Sequence, residues 1–329
     1  VGKFYDQTYL KENKHPTRFD LDKAFPDNPV MLLHLSGLMG VANSAALKVL
    51  GISDKSTDPP GGTIVRKPGT MEPTGLLQGA AYFAALPYVL GKPDIAKLVD
   101  NLAIAETIYL SNGFTTIQDG GTSPESMQLF KTAAEEGKLQ ADIIALPAAT
   151  MLDTILRNKK DFAAGVYENH LKIGGIVMPS DGGPQERTAL FSKSYLKKDF
   201  KKSAEYGNPL SKQEQINQVV KLCYANNLQY VGYGNGDSGI AMHLNAIRLA
   251  RMELADTSTN RRSVITHSQF VRSDQLDIYR EYGIIPCFFT DHAYMFGDVH
   301  IKNLGKERAF FLSPMKTASG KGLMYNNHN

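Results

Sequence analysis

The stretch Leu228–Asp237, LQYVGYGNGD, decides the fold when it is read together with Ser263–Gln269, SVITHSQ. In each stretch an apolar run that favours a strand ends in Gly or polar residues, and a helix-like segment lies between the two runs. A strand, a helix and a second strand predict a parallel pair joined by a crossover. In a barrel of parallel strands the chemistry lies at the carboxyl ends of the strands. The pattern therefore directs attention to Tyr233, Asp237 and His267.

Similar patterns recur through the rest of the chain. Further apolar runs that end in polar, Pro or Gly residues are Phe114–Ile117, Asp142–Leu146, Gly175–Met178, Ile284–Phe289 and Gly322–Tyr325. Helical periodicity between them covers Ile95–Ser111, Ser123–Glu136, Ser211–Asn226 and Ser273–Tyr282. Strands that alternate with helices predict an α/β fold with a parallel sheet. The number of strands favours a (β/α)8 barrel that lacks its first strand.

The first hundred residues show a different pattern. Met31–Leu35 favours a strand, and Asp58–Gly62 is rich in the Pro and Gly residues that form turns. We therefore expect residues 1–92 to form a small α+β insertion that serves as a lid over one end of the barrel. Residues 93–329 would form the barrel itself, with the boundary near Lys92–Pro93.

Composition narrows the class of protein. The chain has 329 residues, of which 42% are hydrophobic and 21% charged, and its formal net charge is +3. Because the lysines are scattered, we expect a solvated surface and no nucleic-acid partner. No apolar run reaches the roughly 18 residues of a membrane span, and the two cysteines are too far apart in sequence to suggest a metal motif.

Features at the start of the chain bear on processing and location. The first residue is Val1, and the residues after it do not resemble a signal peptide. We expect the chain to begin inside a longer protein. The sequence leaves the compartment and a homodimer open, with a soluble cytoplasmic protein favoured.

A set of short blocks, taken in order, resembles one known family. The blocks are Leu35–Leu47, Asp58–Gly62, Pro73–Leu77, Asn112–Gly120, Asp181–Ala189, Asn235–Asp237, Thr266–Gln269 and Gly305–Arg308. Together they are similar to amidohydrolase family 3, in the branch typified by N-substituted formamide deformylases. Each block alone is short, but the ordered set extends over nearly the whole chain.

The resemblance implies a distorted TIM barrel of the metal-dependent hydrolase type. It also implies one or two divalent metal ions, usually zinc, and a metal-bound water that hydrolyses a small amide-type C–N bond. The implied ligands are an HxH pair on the first strand, a lysine on the fourth, histidines on the fifth and sixth, and an aspartate on the eighth. Such ligands hold the ion and leave a position for water. His267 matches the sixth-strand histidine and would be a zinc ligand.

Several positions depart from that ligand pattern. The chain contains no HxH sequence, Val177 stands at the lysine position, and Tyr233 stands at the position of the fifth-strand histidine. Three explanations stay open: a segment of a longer protein, a degenerate member that binds a small molecule without metal, or an engineered barrel that uses Tyr233 and His267 for acid–base chemistry. The absence of ligands expected at the ends of the chain, such as the HxH pair, fits the first explanation. The internal replacements at Val177 and Tyr233 fit the other two.

The candidate site residues all lie at or just beyond predicted strand ends. They are, for catalysis, His267, Tyr233 and Asp181 and, for binding a small amide-like substrate, His292, Asn235 and Asp237. Structural alternatives exist for three of them. Asp181 also fits an Asx turn, Asp237 a helix N-cap, and Tyr233 a packed aromatic residue.

Overall fold

The structure, a computed structural model, describes residues 1–91, 94–158, 164–196 and 205–328. The chain divides into two compact units, Val1–Lys92 and Pro93–Asn329. The boundary residues expected from the sequence, Lys92–Pro93, lie outside the described residues. Among the described helices, none is both long enough and apolar enough to cross a membrane.

The first unit contains a mixed five-stranded sheet with three helices. Its strands are β1 Gly2–Tyr5, β2 Met31–His34, β3 Met39–Ala42, β4 Gly62–Arg66 and β5 Pro73–Gly79, in the order β1-β2-β3-β5-β4. Its helices are α1 Arg18–Ala24, α2 Ser44–Val49 and α3 Ala80–Leu90. Only the β1–β2 pair is parallel. Asn43 caps α2, because its Oδ1 accepts hydrogen bonds from the backbone N–H groups of Ala46 and Val30, both at 2.9 Å.

The second unit alternates strands and helices. Its strands are β6 Thr116–Thr122, β7 Asp142–Pro147, β8 Leu171–Ile173, β9 Ile176–Pro179, β10 Tyr230–Gly234, β11 Val264–His267, β12 Ile285–Phe288 and β13 Asn326–Asn327. Its helices are α4 Ile95–Ser111, α5 Pro124–Glu135, α6 Leu152–Arg157, α7 Gln213–Ala225, α8 Asp237–Glu253, α9 Ser273–Tyr282, α10 Asp291–Leu304, α11 Lys306–Ala309 and α12 Met315–Gly320.

The strands of the second unit form two parallel sheets. The orders are β6-β7-β8 and β13-β12-β11-β10-β9. An isolated parallel bridge between Ala148 and Val177 connects the end of β7 to β9. The described strands do not close into a barrel, since β6 and β13 each end a sheet. The α/β alternation is confirmed, and the closed barrel is not formed by the described residues.

Most predicted elements of this unit are found with small shifts, and two helices have the predicted bounds. These are α4 Ile95–Ser111 and α9 Ser273–Tyr282. The last strand was placed wrongly, because Gly322–Tyr325 is not a strand and pairing begins at Asn326. Leu323 and Tyr325 instead pack against the main hydrophobic core. Their apolar character therefore reflects packing after α12 and not strand pairing.

The strand in Leu228–Asp237 extends beyond its apolar run, which ends at Val231. Gly232, Tyr233 and Gly234 continue β10. A Cβ at position 232 would lie 2.9 Å from Cγ of His243, a fully buried residue of α8. The glycines thus make room for the His243 ring, and this brings α8 close to the strand.

The two faces of the parallel sheet differ in what they contact. On β9, Ile176 and Met178 belong to the main core, which also includes apolar residues of the helices. The residue between them, Val177, instead packs with Leu146 and Val231 in a separate small cluster. This alternation is the period-2 pattern of a strand. Tyr233 packs against the same small cluster, so its side chain lies on the face away from the helices.

Candidate functional site

Aromatic and imidazole rings gather at the carboxyl ends of β10 to β13. The ring centroid of His267 lies 4.4 Å from that of Tyr233, 4.9 Å from His328, 5.5 Å from His292 and 5.8 Å from Phe289. The side chains of Tyr233 and His267 are partly exposed, whereas His292 is 6% exposed. We call these five residues the histidine cluster. Its position is the one in which parallel-strand proteins place their chemistry.

The backbone at the end of β11 is strained. His267 has a φ of 67° and Ser268 a φ of 38°, values that non-glycine residues rarely adopt. Such strain persists only where surrounding contacts hold it. Ser268 Oγ lies 2.8 Å from Tyr279 Oη and donates a hydrogen bond to the carbonyl of Ile265 at 2.8 Å. These hydrogen bonds anchor the end of β11 and thereby hold His267 in a fixed position.

Burial fixes the protonation states in the cluster. Burial and the neighbouring His328 and His292 hold the pKa of His267 well below its usual value, and burial lowers the pKa of His292 to about 3. Burial raises the pKa of Tyr233 to about 12, although a hydrogen bond with Asn235 acts to lower it. At neutral pH both imidazoles are uncharged and the phenol keeps its proton. The cluster thus offers a proton acceptor beside a hydrogen-bond donor.

His267 has hydrogen-bonding capacity left over. Its Nδ1 is buried and has no hydrogen-bond partner among the described residues, and the same holds for Nδ1 of His292. Leaving a buried polar atom without a partner costs about 1–3 kcal/mol, so such atoms mark places where a ligand group can bind. The ring of His267 lies beside the partly exposed ring of Tyr233.

Asp181, expected to be catalytic, lies directly after β9 and is fully buried. Its carboxylate accepts backbone hydrogen bonds from Leu190 at 2.7 Å, Gly236 at 2.8 Å and Asn235 at 2.9 Å. Burial raises its pKa to about 7, while these hydrogen bonds act to lower it. The side chain therefore ties the segment after β9 to the end of β10. It also lies near enough to Tyr233 for its negative charge to raise the pKa of that phenol.

Asn235 and Asp237, expected to bind substrate, also make protein contacts. Asn235 Nδ2 donates a hydrogen bond to the carbonyl of Gly182 at 3.0 Å. Asp237 is the first residue of α8, and its carboxylate accepts hydrogen bonds from the backbone N–H of Ser192 and from Arg272 Nη1, both at 2.8 Å. Asp237 lines a cavity that includes none of the five residues of the histidine cluster. Of the six residues singled out, Tyr233, His267 and His292 are thus brought together by ring contacts, and Asn235 reaches the cluster through its hydrogen bond with Tyr233.

The described residues do not supply the zinc ligands that the resemblance implies. Within residues 1–91, 94–158, 164–196 and 205–328, no three His, Cys, Asp or Glu side chains are grouped so that they could hold a metal ion. Val177 is 9% exposed and packs on Leu146 and Val231, and the Tyr233 ring packs beside His267. A zinc site needs three or four N, S or O ligands around the ion. These residues do not fit that group.

Two members of the histidine cluster were missed as site residues. Phe289 follows β12 directly and His328 follows β13 directly, and their rings stack with centroids 4.7 Å apart. Phe289 is the last residue of one apolar run that was predicted as a strand, and His328 follows another. The signal that identified Tyr233 and His267 was therefore present for both.

Comparison with known proteins decides the family. The family model described as "Amidohydrolase family" matches residues 1–328. The chain belongs to the amidohydrolase family. It is 28% identical over 309 residues to Protein LONG AFTER FAR-RED 3 of Arabidopsis thaliana, a match that covers 89% of this chain and 51% of the relative. It is 34% identical over 140 residues to N-substituted formamide deformylase of Arthrobacter pascens, covering 41% of this chain and 25% of the relative.

The likeness extends to solved structures. A crystal structure of an uncharacterized metal-dependent hydrolase from Pyrococcus furiosus matches with a TM-score of 0.70 and 22% identity, covering 99% of this chain and 63% of that one. At this identity the match shows the fold alone. This amidohydrolase-family chain spans about half the length of the plant relative.

Proposed function

We propose that this chain is a hydrolase that cleaves a small amide-type C–N bond at the histidine cluster. The proposal is supported by membership of the amidohydrolase family and by the similarity of part of the chain to an N-substituted formamide deformylase. The observation that carries it is the unpartnered, buried Nδ1 of uncharged His267 beside the protonated Tyr233. Such a pair matches the needs of general acid–base catalysis.

In this proposal each side chain has one task. The Tyr233 phenol donates a hydrogen bond to the carbonyl oxygen of the amide, where negative charge develops. His267 accepts a proton from the attacking water, and that proton passes to the nitrogen as the C–N bond breaks. The products are a carboxylic acid and an amine. His292 and Phe289 flank His267 at ring-centroid distances of 5.5 and 5.8 Å and form the wall for a small substrate.

A second candidate function is binding of a small molecule without turnover. It is favoured by the apolar packing of Val177, which removes a polar group from the position where the resemblance implies a lysine. In this case the cluster would serve as an aromatic pocket with unfilled hydrogen-bonding atoms. The same rings would contact the ligand, but no product would form.

Release of amine from a panel of small amides, including N-substituted formamides, tests the proposal. We expect the unaltered protein to release amine and His267→Ala to be slower by about 100-fold or more, the usual size of a general-base contribution. Tyr233→Phe should slow the reaction while keeping the ring packing. The matched control is His170→Ala, because this exposed histidine pairs with Asp142 on the surface.

The two candidate functions predict different results in that assay. Amide hydrolysis by the unaltered protein at a rate equal to that of His267→Ala would refute the catalytic role of His267. Absence of hydrolysis, together with a shift in melting temperature caused by the same amides and lost in His267→Ala, would replace the first function by the second.

A further inference from the structure

A cavity lies apart from the residues of the histidine cluster. It has a volume of about 300 Å³ and is lined by residues 191–193, Asp237, residues 270–273 and residues of 307–311. This volume is near the lower end of the range for small-ligand pockets. None of the five residues of the histidine cluster lines it. We call it the Phe191 cavity.

Aromatic rings form the apolar part of the Phe191 cavity. Phe191 and Phe270 are 4% and 6% exposed, and their rings meet edge to face with centroids 5.3 Å apart. Phe311, on the opposite segment, is 37% exposed. A ring that enters beside two buried rings and displaces water from a third gains both apolar burial and aromatic contact. The geometry therefore suits a flat apolar group.

The walls of the cavity are held by hydrogen bonds, so the pocket is formed before a ligand arrives. Arg308 donates from Nη1 to the carbonyl of Lys193 at 2.9 Å and from Nη2 to the carbonyl of Ser194 at 2.8 Å. Across the cavity, Asp237 accepts from Arg272 at 2.8 Å, and Arg272 also pairs with Asp274. Preformed walls reduce the entropy that binding would lose.

The charges that remain in the lining favour an anion. Asp237 and Arg272 neutralise one another, and Glu307 is countered by the adjacent Arg308. The exposed Lys193 has no ion pair with any described residue. An unpaired ammonium at the rim of an apolar pocket gains most from a carboxylate that reaches it, because part of the water around both charges is removed.

We propose that the Phe191 cavity binds a small aromatic carboxylate, with the ring between Phe270 and Phe311 and the carboxylate at Lys193. The site is separate from the one proposed for hydrolysis, so it stands whether or not the histidine cluster is catalytic. An aromatic ring with a short acidic side chain fits a cavity of about 300 Å³ whose lining includes both aromatic rings and an exposed lysine.

Titration with phenylacetate, followed by ligand-observed NMR, tests this site. We expect saturable binding that is at least fivefold tighter than that of 2-phenylethanol and of 2-phenylethylamine. Phe311→Ala and Lys193→Gln should each weaken it at least fivefold. The matched controls are Phe310→Ala and Lys306→Gln, since Phe310 is 73% exposed and neither residue lines the cavity. Both controls should leave the dissociation constant unchanged.

Four results would overturn the proposal. The first is absence of phenylacetate binding at 10 millimolar, taken as about the weakest affinity worth measuring. The second is equal binding by Lys193→Gln, and the third is tighter binding of the amine than of the acid. The fourth is weaker binding by His267→Ala with unchanged binding by Phe311→Ala, which would place the ligand at the histidine cluster. Circular dichroism of each variant confirms that the fold is retained.

Discussion

Replacement of Asp181 by alanine tests the role that the structure gives to this buried carboxylate. The change removes the acceptor of three backbone N–H groups, those of Leu190, Asn235 and Gly236. Each buried donor left without a partner costs about 1–3 kcal/mol, and the sum is about 3–9 kcal/mol. Two effects reduce this sum: water can enter the space left by the carboxyl group, and the variant no longer has the cost of burying that group. We therefore expect a loss of about 3–5 kcal/mol in the free energy of unfolding.

Urea unfolding followed by far-ultraviolet circular dichroism measures this loss, since the chain has no tryptophan for fluorescence. Asp298→Ala is the matched control, because Asp298 is exposed on α10, and such changes usually alter stability by less than about 0.5 kcal/mol. Asp181→Asn should be intermediate, because one amide oxygen can still accept from part of the set. A loss below about 1 kcal/mol in Asp181→Ala would refute the anchoring role.

Further predictions concern packing and pH. Gly232→Ala should destabilise the protein by about 1–3 kcal/mol through overpacking, because its Cβ would meet the His243 ring at 2.9 Å. Gly297→Ala, whose Cβ meets nothing within 4 Å, should instead stabilise α10 by about 0.5–1 kcal/mol. Urea unfolding measures both changes, and equal effects would contradict the packing argument. Burial lowers the pKa of His243 to about 4. As the pH falls, this side chain is therefore protonated in the unfolded chain before it is protonated in the folded one. The stability that His243 contributes is complete above pH 6.5, the ordinary pKa of a histidine side chain, and is lost as pH falls towards 4, by about 1.4 kcal/mol per pH unit. His267 and His292 also have lowered pKa values and add to the total pH dependence. The slope of the unfolding free energy between pH 4 and 7 should therefore be shallower in His243→Gln than in the unaltered protein by about this amount; equal slopes would exclude a neutral buried His243.

The alternation of strands and helices could be predicted because each element carries its own signal. The helical spacing of apolar residues, together with the residues that end helices, predicted the observed bounds of α4 and α9. The end of β10 could not be predicted, because glycine normally interrupts strands. The reason for Gly232 lies on another element, the ring of His243 on α8. Contacts between distant segments are not visible in a local pattern.

The candidate site, like the fold, could be predicted only in part from the sequence. Tyr233 and His267 follow from their places at strand ends, and their rings are in contact. The contacts of Asp181 with Leu190 and of Asp237 with Ser192 could not be foreseen, because residues 190–192 have no strand or helix pattern. His328 also follows a predicted strand, but a local pattern does not show that its ring meets those of His267 and Phe289.

The most direct test of the proposed chemistry measures amine release and bound zinc in the same protein sample. We expect hydrolysis by protein that carries far less than one zinc ion per chain, no inhibition by chelators, and a loss of about 100-fold or more in His267→Ala. Activity that rises in proportion to bound zinc, and disappears when zinc is removed, would contradict the proposed chemistry. That result would show that residues other than those described here complete a metal site around His267.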